Sequence, residues 1–143
     1  MIKALLLIFL LFTQFVFATE RRGDILVDAN ILKKQNPEKI ILDGEVYADL
    51  NNDNLIDTIK YSYSVSPPPT ACVSEDCVKK NELSSNPILT FDIFLNGSDT
   101  EISGNYMCQY IGILKTTHNE MKDIFCGPSY ILEWSGSDYV LKN

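Results

Sequence analysis

Histidine and tryptophan are almost missing from this chain of 143 residues, which has one of each, His118 and Trp134. With a single imidazole and no Gly-x-Ser-x-Gly nucleophile elbow, catalysis finds little support, and glycine loops that could cradle a phosphate are missing too. The chain is therefore read as a non-enzyme. His118 falls in an expected turn and is read as a surface histidine. Positive charge is the scarce sign: 12 Lys and Arg stand against 19 Asp and Glu, a formal net charge of −7. That balance disfavours nucleic acid and anionic membrane surfaces as partners and makes cations the natural counterpart. Any protein partner is left unnamed by the sequence.

Long apolar runs are confined to the N-terminus, where Lys3 precedes Ala4 to Phe12 and then Phe15, Val16 and Phe17. With the small residue Ala18 closing the run and a polar stretch from Thr19 following it, residues 1–18 read as a secretory signal peptide. The run is short for a bilayer span of ~20 residues, and no cysteine lies at the cleavage point to take a lipid. The expectation is an exported protein, periplasmic or secreted, with no membrane insertion after cleavage. Residues 19–143 suffice for one small domain and not for two independent cores.

All four cysteines lie after the leader, and four cysteines allow three pairings. Export argues for disulfides over zinc, as do the CxxxxC spacing and the lone histidine. A hairpin folded about Thr117 would set Cys108 across from Cys126, leaving Cys72 and Cys77 to close a small loop.

The densest chemistry lies in Asp49-Leu50-Asn51-Asn52-Asp53-Asn54-Leu55-Ile56-Asp57, where Asp49, Asn51, Asp53 and Asp57 place four oxygen side chains at alternating positions. Hard cations such as Ca²⁺ take several oxygens from carboxylates, amides and main-chain carbonyls, and Leu55 would add its carbonyl. An EF-hand is excluded because its sixth and twelfth positions would be Asn54 and Lys60 in place of glycine and glutamate. The flanks also have strand period, with Val46, Ala48 and Leu50 alternating before the loop and Ile59, Tyr61, Tyr63 and Val65 after it. A strand, this loop and a strand resemble the calcium loop of the FG-GAP repeat found in integrin-α β-propellers and related bacterial repeat proteins. The resemblance implies side-chain ligation by Asp49, Asn51, Asp53 and Asp57 and a main-chain ligand from Leu55. It covers one loop and its flanking strands. Asn54 stands where that family usually has glycine, and asparagine is the next best residue at positive φ. The competing reading is a metal-free polar turn, since Asn and Asp bond readily to nearby backbone.

Elsewhere the pattern is mainly β, a small antiparallel sheet or sandwich built of hairpins. A short helix is expected at Asn30 to Gln35, ended by Asn36-Pro37, and an extended stretch from Lys39 to Leu50 interrupted at Asp43-Gly44. Thr58 to Val65 returns as its partner, and residues 66–87, rich in proline, form a long loop. Leu89, Phe91, Ile93 and Leu95 share one strand face, Asn96-Gly97 makes a hairpin turn into Thr100 to Ser103, and Tyr106 to Lys115 reads as one central strand. Asn96-Gly97-Ser98 also spells a glycosylation acceptor, with the turn preferred. Tyr130, Leu132 and Trp134 share a further face, with Trp134 in the core, and Ser135 to Asp138 turns into Tyr139 to Leu141. The stretch from Asn119 onward looks like a degenerate second half of the repeat in which only Asp123 keeps a carboxylate position, so no second calcium loop is expected. One recognisable loop cannot supply the four blades of a propeller.

Two functional readings result. The first is an exported β domain with one structural calcium loop. The second is a periplasmic inhibitor or immunity-type protein that uses the 66–87 loop on a cell-envelope enzyme, with Asp49 to Asp57 as a metal-free turn.

Overall fold

The computed structural model describes residues 23–65, 74 and 86–142. The expected signal peptide, the Cys72–Cys77 pair and most of the 66–87 loop lie outside these residues. Within them, nine strands form two antiparallel sheets, one of four strands and one of five.

The chain enters as β1 (Asp24–Asp28) and turns directly into α1 (Ala29–Gln35). Asp28 caps this helix, its carboxylate accepting from the main-chain N–H of Asn30 at 2.8 Å and Ile31 at 3.4 Å. Lys33 and Lys34 occupy the last turn, where the helix dipole favours cations, and Asn36 closes it by donating its N–H to Leu32 O ahead of Pro37. The helix thus runs as expected, while β1 carries a bulge between Ile25 and Val27 and had no clear strand period in the sequence.

Next come β2 (Ile41–Ala48), β3 (Asp57–Val65), β4 (Pro87–Phe94) and β5 (Glu101–Cys108), hydrogen-bonded in that order as the four-stranded sheet. β4 buries Leu89, Phe91 and Ile93 on alternate positions, and β3 buries Ile59 and Tyr63 beside them. The expected break at Asp43-Gly44 is absent. β2 runs unbroken through Gly44, which pairs with Tyr61. A Cβ on Gly44 would come within 2.3 Å of the Tyr61 hydroxyl, so this glycine makes room for a ring and not for a turn. Gly97 does serve a turn: at φ +82° it links β4 to β5, with Ser98 N–H donating to Leu95 O.

The five-stranded sheet has the order β1-β6-β7-β8-β9, adding β6 (Tyr110–His118), β7 (Met121–Cys126), β8 (Tyr130–Trp134) and β9 (Tyr139–Leu141). Tyr106 to Lys115 is therefore not one strand. The chain leaves one sheet after Cys108 and enters the other at Tyr110, with Gln109 as the joint: its carbonyl accepts from Ala29 N–H and its N–H donates to Gly127 O, both at 2.8 Å. What reads as one strand apolar on both faces is two strands in succession, β5 with one face partly buried and β6 with both faces buried from Ile111 to Leu114. Ring stacking of Tyr106 on Phe91 belongs to one sheet and burial of Ile111, Ile113 and Leu114 to the other.

The Cys108–Cys126 disulfide forms, with Cα atoms 4.9 Å apart, but for a different reason from the expected hairpin. Cys126 pairs with Ile111 in the ladder, while Cys108 ends β5 opposite Leu89, so the bond joins the two sheets at the crossover. The hairpin turn itself is Asn119-Glu120, with φ of 46° and 70°, flanked by the His118–Met121 pair, and is not centred on Thr117. His118 is accordingly the last residue of a strand. Two consecutive positive φ values suit the twist of a tight hairpin, and Asn119 adds a 2.8 Å bond from its side-chain amide to Trp134 O.

Both sheets feed one core. Ile59, Tyr63, Leu89 and Ile93 from the first meet Ile111, Ile124, Leu132 and Tyr139 from the second, and all but Tyr139 are fully buried. Trp134, expected in the core, is partly buried and packs against this cluster, meeting Tyr139 edge to face at 5.2 Å, whereas Tyr130 turns out to be half exposed. The Tyr106 hydroxyl donates to Tyr139 O and adds a polar tie across the sheets. Among the described residues no helix is long and apolar enough to cross a membrane.

Candidate metal site

Pairing of Ala48 with Asp57 closes β2 and β3 around the loop from Asp49 to Ile56. Leu50 anchors it. Its side chain is fully buried in the core, its N–H donates to Asp57 Oδ2 at 2.8 Å, and its carbonyl accepts from Lys122 N–H at 2.7 Å. The Lys122 ammonium reaches the neighbouring carbonyl, Asp49 O, at 2.7 Å. A single residue of β7 thus holds two consecutive loop carbonyls.

Above this anchor Asp49, Asn51 and Asp53 bond within the loop. Asp49 Oδ2 accepts from Asn54 N–H at 3.1 Å, and Asp53 Oδ1 accepts from Leu55 N–H at 2.8 Å. The Asn51 side-chain amide donates to Asp53 Oδ2 at 2.9 Å, and Asn51 Oδ1 accepts from Asp53 N–H at 3.3 Å. Asn52 and Asn54 adopt φ of 57° and 64°, so the chain has the left-handed conformation at Asn54 that the missing glycine would otherwise supply. Leu55 is exposed.

Asp57 has a different place from its three companions. It is fully buried, with Oδ2 held by Leu50 N–H and Oδ1 by Asn96 N–H, each at 2.8 Å. It brackets the loop to the turn between β4 and β5. Each carboxylate oxygen has a further lone pair, so these bonds leave Asp57 able to contact a cation as well.

Asp49 Oδ1 meets no donor among the described residues although it is shielded from solvent. A buried acceptor without a partner is costly, and a cation is one group that would satisfy it. By residue type, the oxygen side chains of Asp49, Asn51, Asp53 and Asp57 and the Leu55 carbonyl are donors of the kind that Ca²⁺ takes. Imidazole and thiolate, which softer ions favour, are absent from the loop.

Sequence reasoning missed Lys122 and Asn96, because both reach the loop only through long-range packing. It also missed a second polar group. Asp123, the other fully buried carboxylate among the described residues, accepts from the Thr116 hydroxyl at 2.5 Å and lies 2.7 Å from His118 Nδ1. His118 Nε2 lies 3.5 Å from Glu133 Oε1, and Lys142 Nζ lies 2.8 Å from the same oxygen. The hydrogen bond from Lys142 holds the Glu133 carboxyl below its ordinary range. Asp123 had stood out in the sequence as a surviving carboxylate position, but nothing there linked it to His118. No family model, characterised protein or solved structure matches the chain, so the likeness in the loop rests on its own residues.

Proposed function

We propose that this protein is an exported, non-enzymatic β domain in which the Asp49 to Asp57 loop binds one Ca²⁺ of FG-GAP type and serves a structural or binding role. Asp49, Asn51, Asp53 and Asp57 would hold the ion through side-chain oxygens and Leu55 through its carbonyl. The observation that carries the reading is the buried, donorless Asp49 Oδ1 in a loop that also carries the oxygen side chains of Asn51 and Asp53. The ion would add positive charge to these acceptors beyond that of Lys122, rigidifying the link between β2 and β3. Proteins exported to calcium-rich surroundings bind it at ~10⁻⁴ to 10⁻³ M, so about 1 mM calcium would add on the order of 1 kcal/mol.

Calorimetric titration of the oxidised protein with Ca²⁺, with Mg²⁺ as control, tests this. Saturable one-site binding that is lost in Asp49→Ala and Asp53→Ala supports it. Absence of heat, together with the same melting midpoint in millimolar calcium and in chelator, reduces the loop to a polar turn.

A further inference from the structure

His118, Asp123 and Glu133 come from β6, β7 and β8, and their donor atoms all lie within 4.8 Å of one another. An ionised carboxylate can only accept, so the 2.7 Å contact between His118 Nδ1 and Asp123 Oδ1 requires the hydrogen to sit on Nδ1. Asp123 is only 1% exposed and is itself fixed by the Thr116 hydroxyl, so the ring is held in one orientation. In a neutral imidazole the lone pair then belongs to Nε2. That nitrogen faces Glu133 Oε1, and a lone pair opposite a carboxylate is repulsive unless something positive lies between them.

The spacing narrows what that positive group is. A charge-assisted N–H···O bond closes to about 2.7–2.9 Å. The observed 3.5 Å is longer, and is close to the edge of a tetrahedron whose bonds to a central ion are about 2.0–2.1 Å. Two carboxylates against the single ammonium of Lys142 also leave the group one negative charge in excess when the imidazole is neutral. A carboxylate that orients an imidazole from behind, leaving its other nitrogen free, is the usual outer support of a metal-bound histidine. A cavity of about 340 Å³, lined by Thr116, Asp123, Lys142 and the apolar Leu114, Phe125 and Ile131, lies on the Asp123 and Lys142 side of the group.

We propose that His118 Nε2 and Glu133 Oε1 form an open site for a late first-row divalent ion of the Zn²⁺ type, with Asp123 as the positioning residue that fixes the imidazole. Water completes the coordination, and Lys142 supplies the counter-charge to Glu133 when no ion is bound. One nitrogen and one oxygen donor select against Ca²⁺ and Mg²⁺, which take oxygen shells. With only two protein donors, the site binds more weakly than a closed four-ligand zinc centre.

Because His118 is the only histidine in the chain, its ring nitrogens give an unambiguous nuclear magnetic resonance signal. The test is a titration of the oxidised, full-length protein with ZnCl₂ near neutral pH, followed by calorimetry and by imidazole nitrogen shifts. The expected result is one-site binding with a shift confined to Nε2. Affinity should fall by about tenfold or more in His118→Ala and in Glu133→Gln. Asp53→Ala should bind Zn²⁺ as the wild type does, which separates this site from the calcium loop. The proposal is overturned if both ring nitrogens prove protonated and unmoved by Zn²⁺, the imidazole then being a cation that bridges two carboxylates. Undiminished zinc binding in folded His118→Ala overturns it equally.

Discussion

Removing the Asp57 carboxylate tests whether this residue is a structural bracket between the loop and the turn that joins β4 to β5. Its two oxygens receive Leu50 N–H and Asn96 N–H, each at 2.8 Å, and the first of these bonds is buried. Orphaning a buried N–H costs about 1–3 kcal/mol, and discounting the part-buried bond from the exposed Asn96 leaves roughly 3–4 kcal/mol for Asp57→Ala. For a domain of this size, interpolation suggests roughly 3–5 °C per kcal/mol, so the melting midpoint should fall by roughly 10–15 °C. Asp57→Asn keeps one acceptor but points an amide N–H₂ at the other donor, and should cost at least about 2 kcal/mol. The assay is thermal and urea unfolding in chelator, where no ion contributes, with native-state hydrogen exchange of the two amides. Leu50 and Asn96 should lose protection ahead of the rest of the sheet. If Asp57→Asn melts within about 2 °C of the wild type in chelator and both amides stay protected, the bracket argument is wrong.

The Cys108–Cys126 bond spans 18 residues, so replacing both cysteines with serine should destabilise the protein by about 3 kcal/mol in urea. An unchanged denaturation midpoint would refute this. The Tyr139 hydroxyl donates to Lys122 O at 2.8 Å, and burial above all, then the charges of Asp123 and Asp57, push its ionisation above the ordinary 10.0. A raised folded value gives stability that is complete below about pH 10 and lost as the pH rises beyond it. Tyr139→Phe should therefore melt lower near neutrality yet show a flatter alkaline limb, with one fewer late-titrating group in the tyrosinate absorbance. Parallel alkaline limbs would contradict the assignment.

How much of this was legible in the sequence depended on the range of the interaction. Alternation marked β3 and β4 because each exposes one face and buries the other, so Ile59, Tyr63, Leu89 and Phe91 declared themselves. Local chemistry marked the Asp28-to-Asn36 helix region and the Gly97 turn. The Tyr106 to Lys115 stretch misled because an unbroken apolar run does not show that the chain changes sheets at Gln109. Gly44 misled because a glycine that accommodates the Tyr61 ring looks the same as a glycine in a turn. In the loop, residue types and spacing were visible, but the inward turn of Asp57 was not, since it depends on Asn96, 39 residues later. The His118 group needed three strands to be placed side by side before it existed at all.

The free margin of the four-stranded sheet has a consequence for how copies of this chain behave in a crowd. Among the described strands β2 has β3 on one side and none on the other, and it exposes Ile41, Asp43, Glu45 and Tyr47 in alternation. An eight-residue edge of this kind is a template on which a second chain can add its own edge. In any antiparallel self-pairing centred on Gly44, Asp43 of each copy falls opposite Glu45 of the other, while Ile41 falls opposite Tyr47. The apolar pairs invite polymerisation and the acidic pairs veto it. Asp43 and Glu45 belong to neither proposed ion site, and neutral amides in their place would turn the same strand from a boundary into a seam.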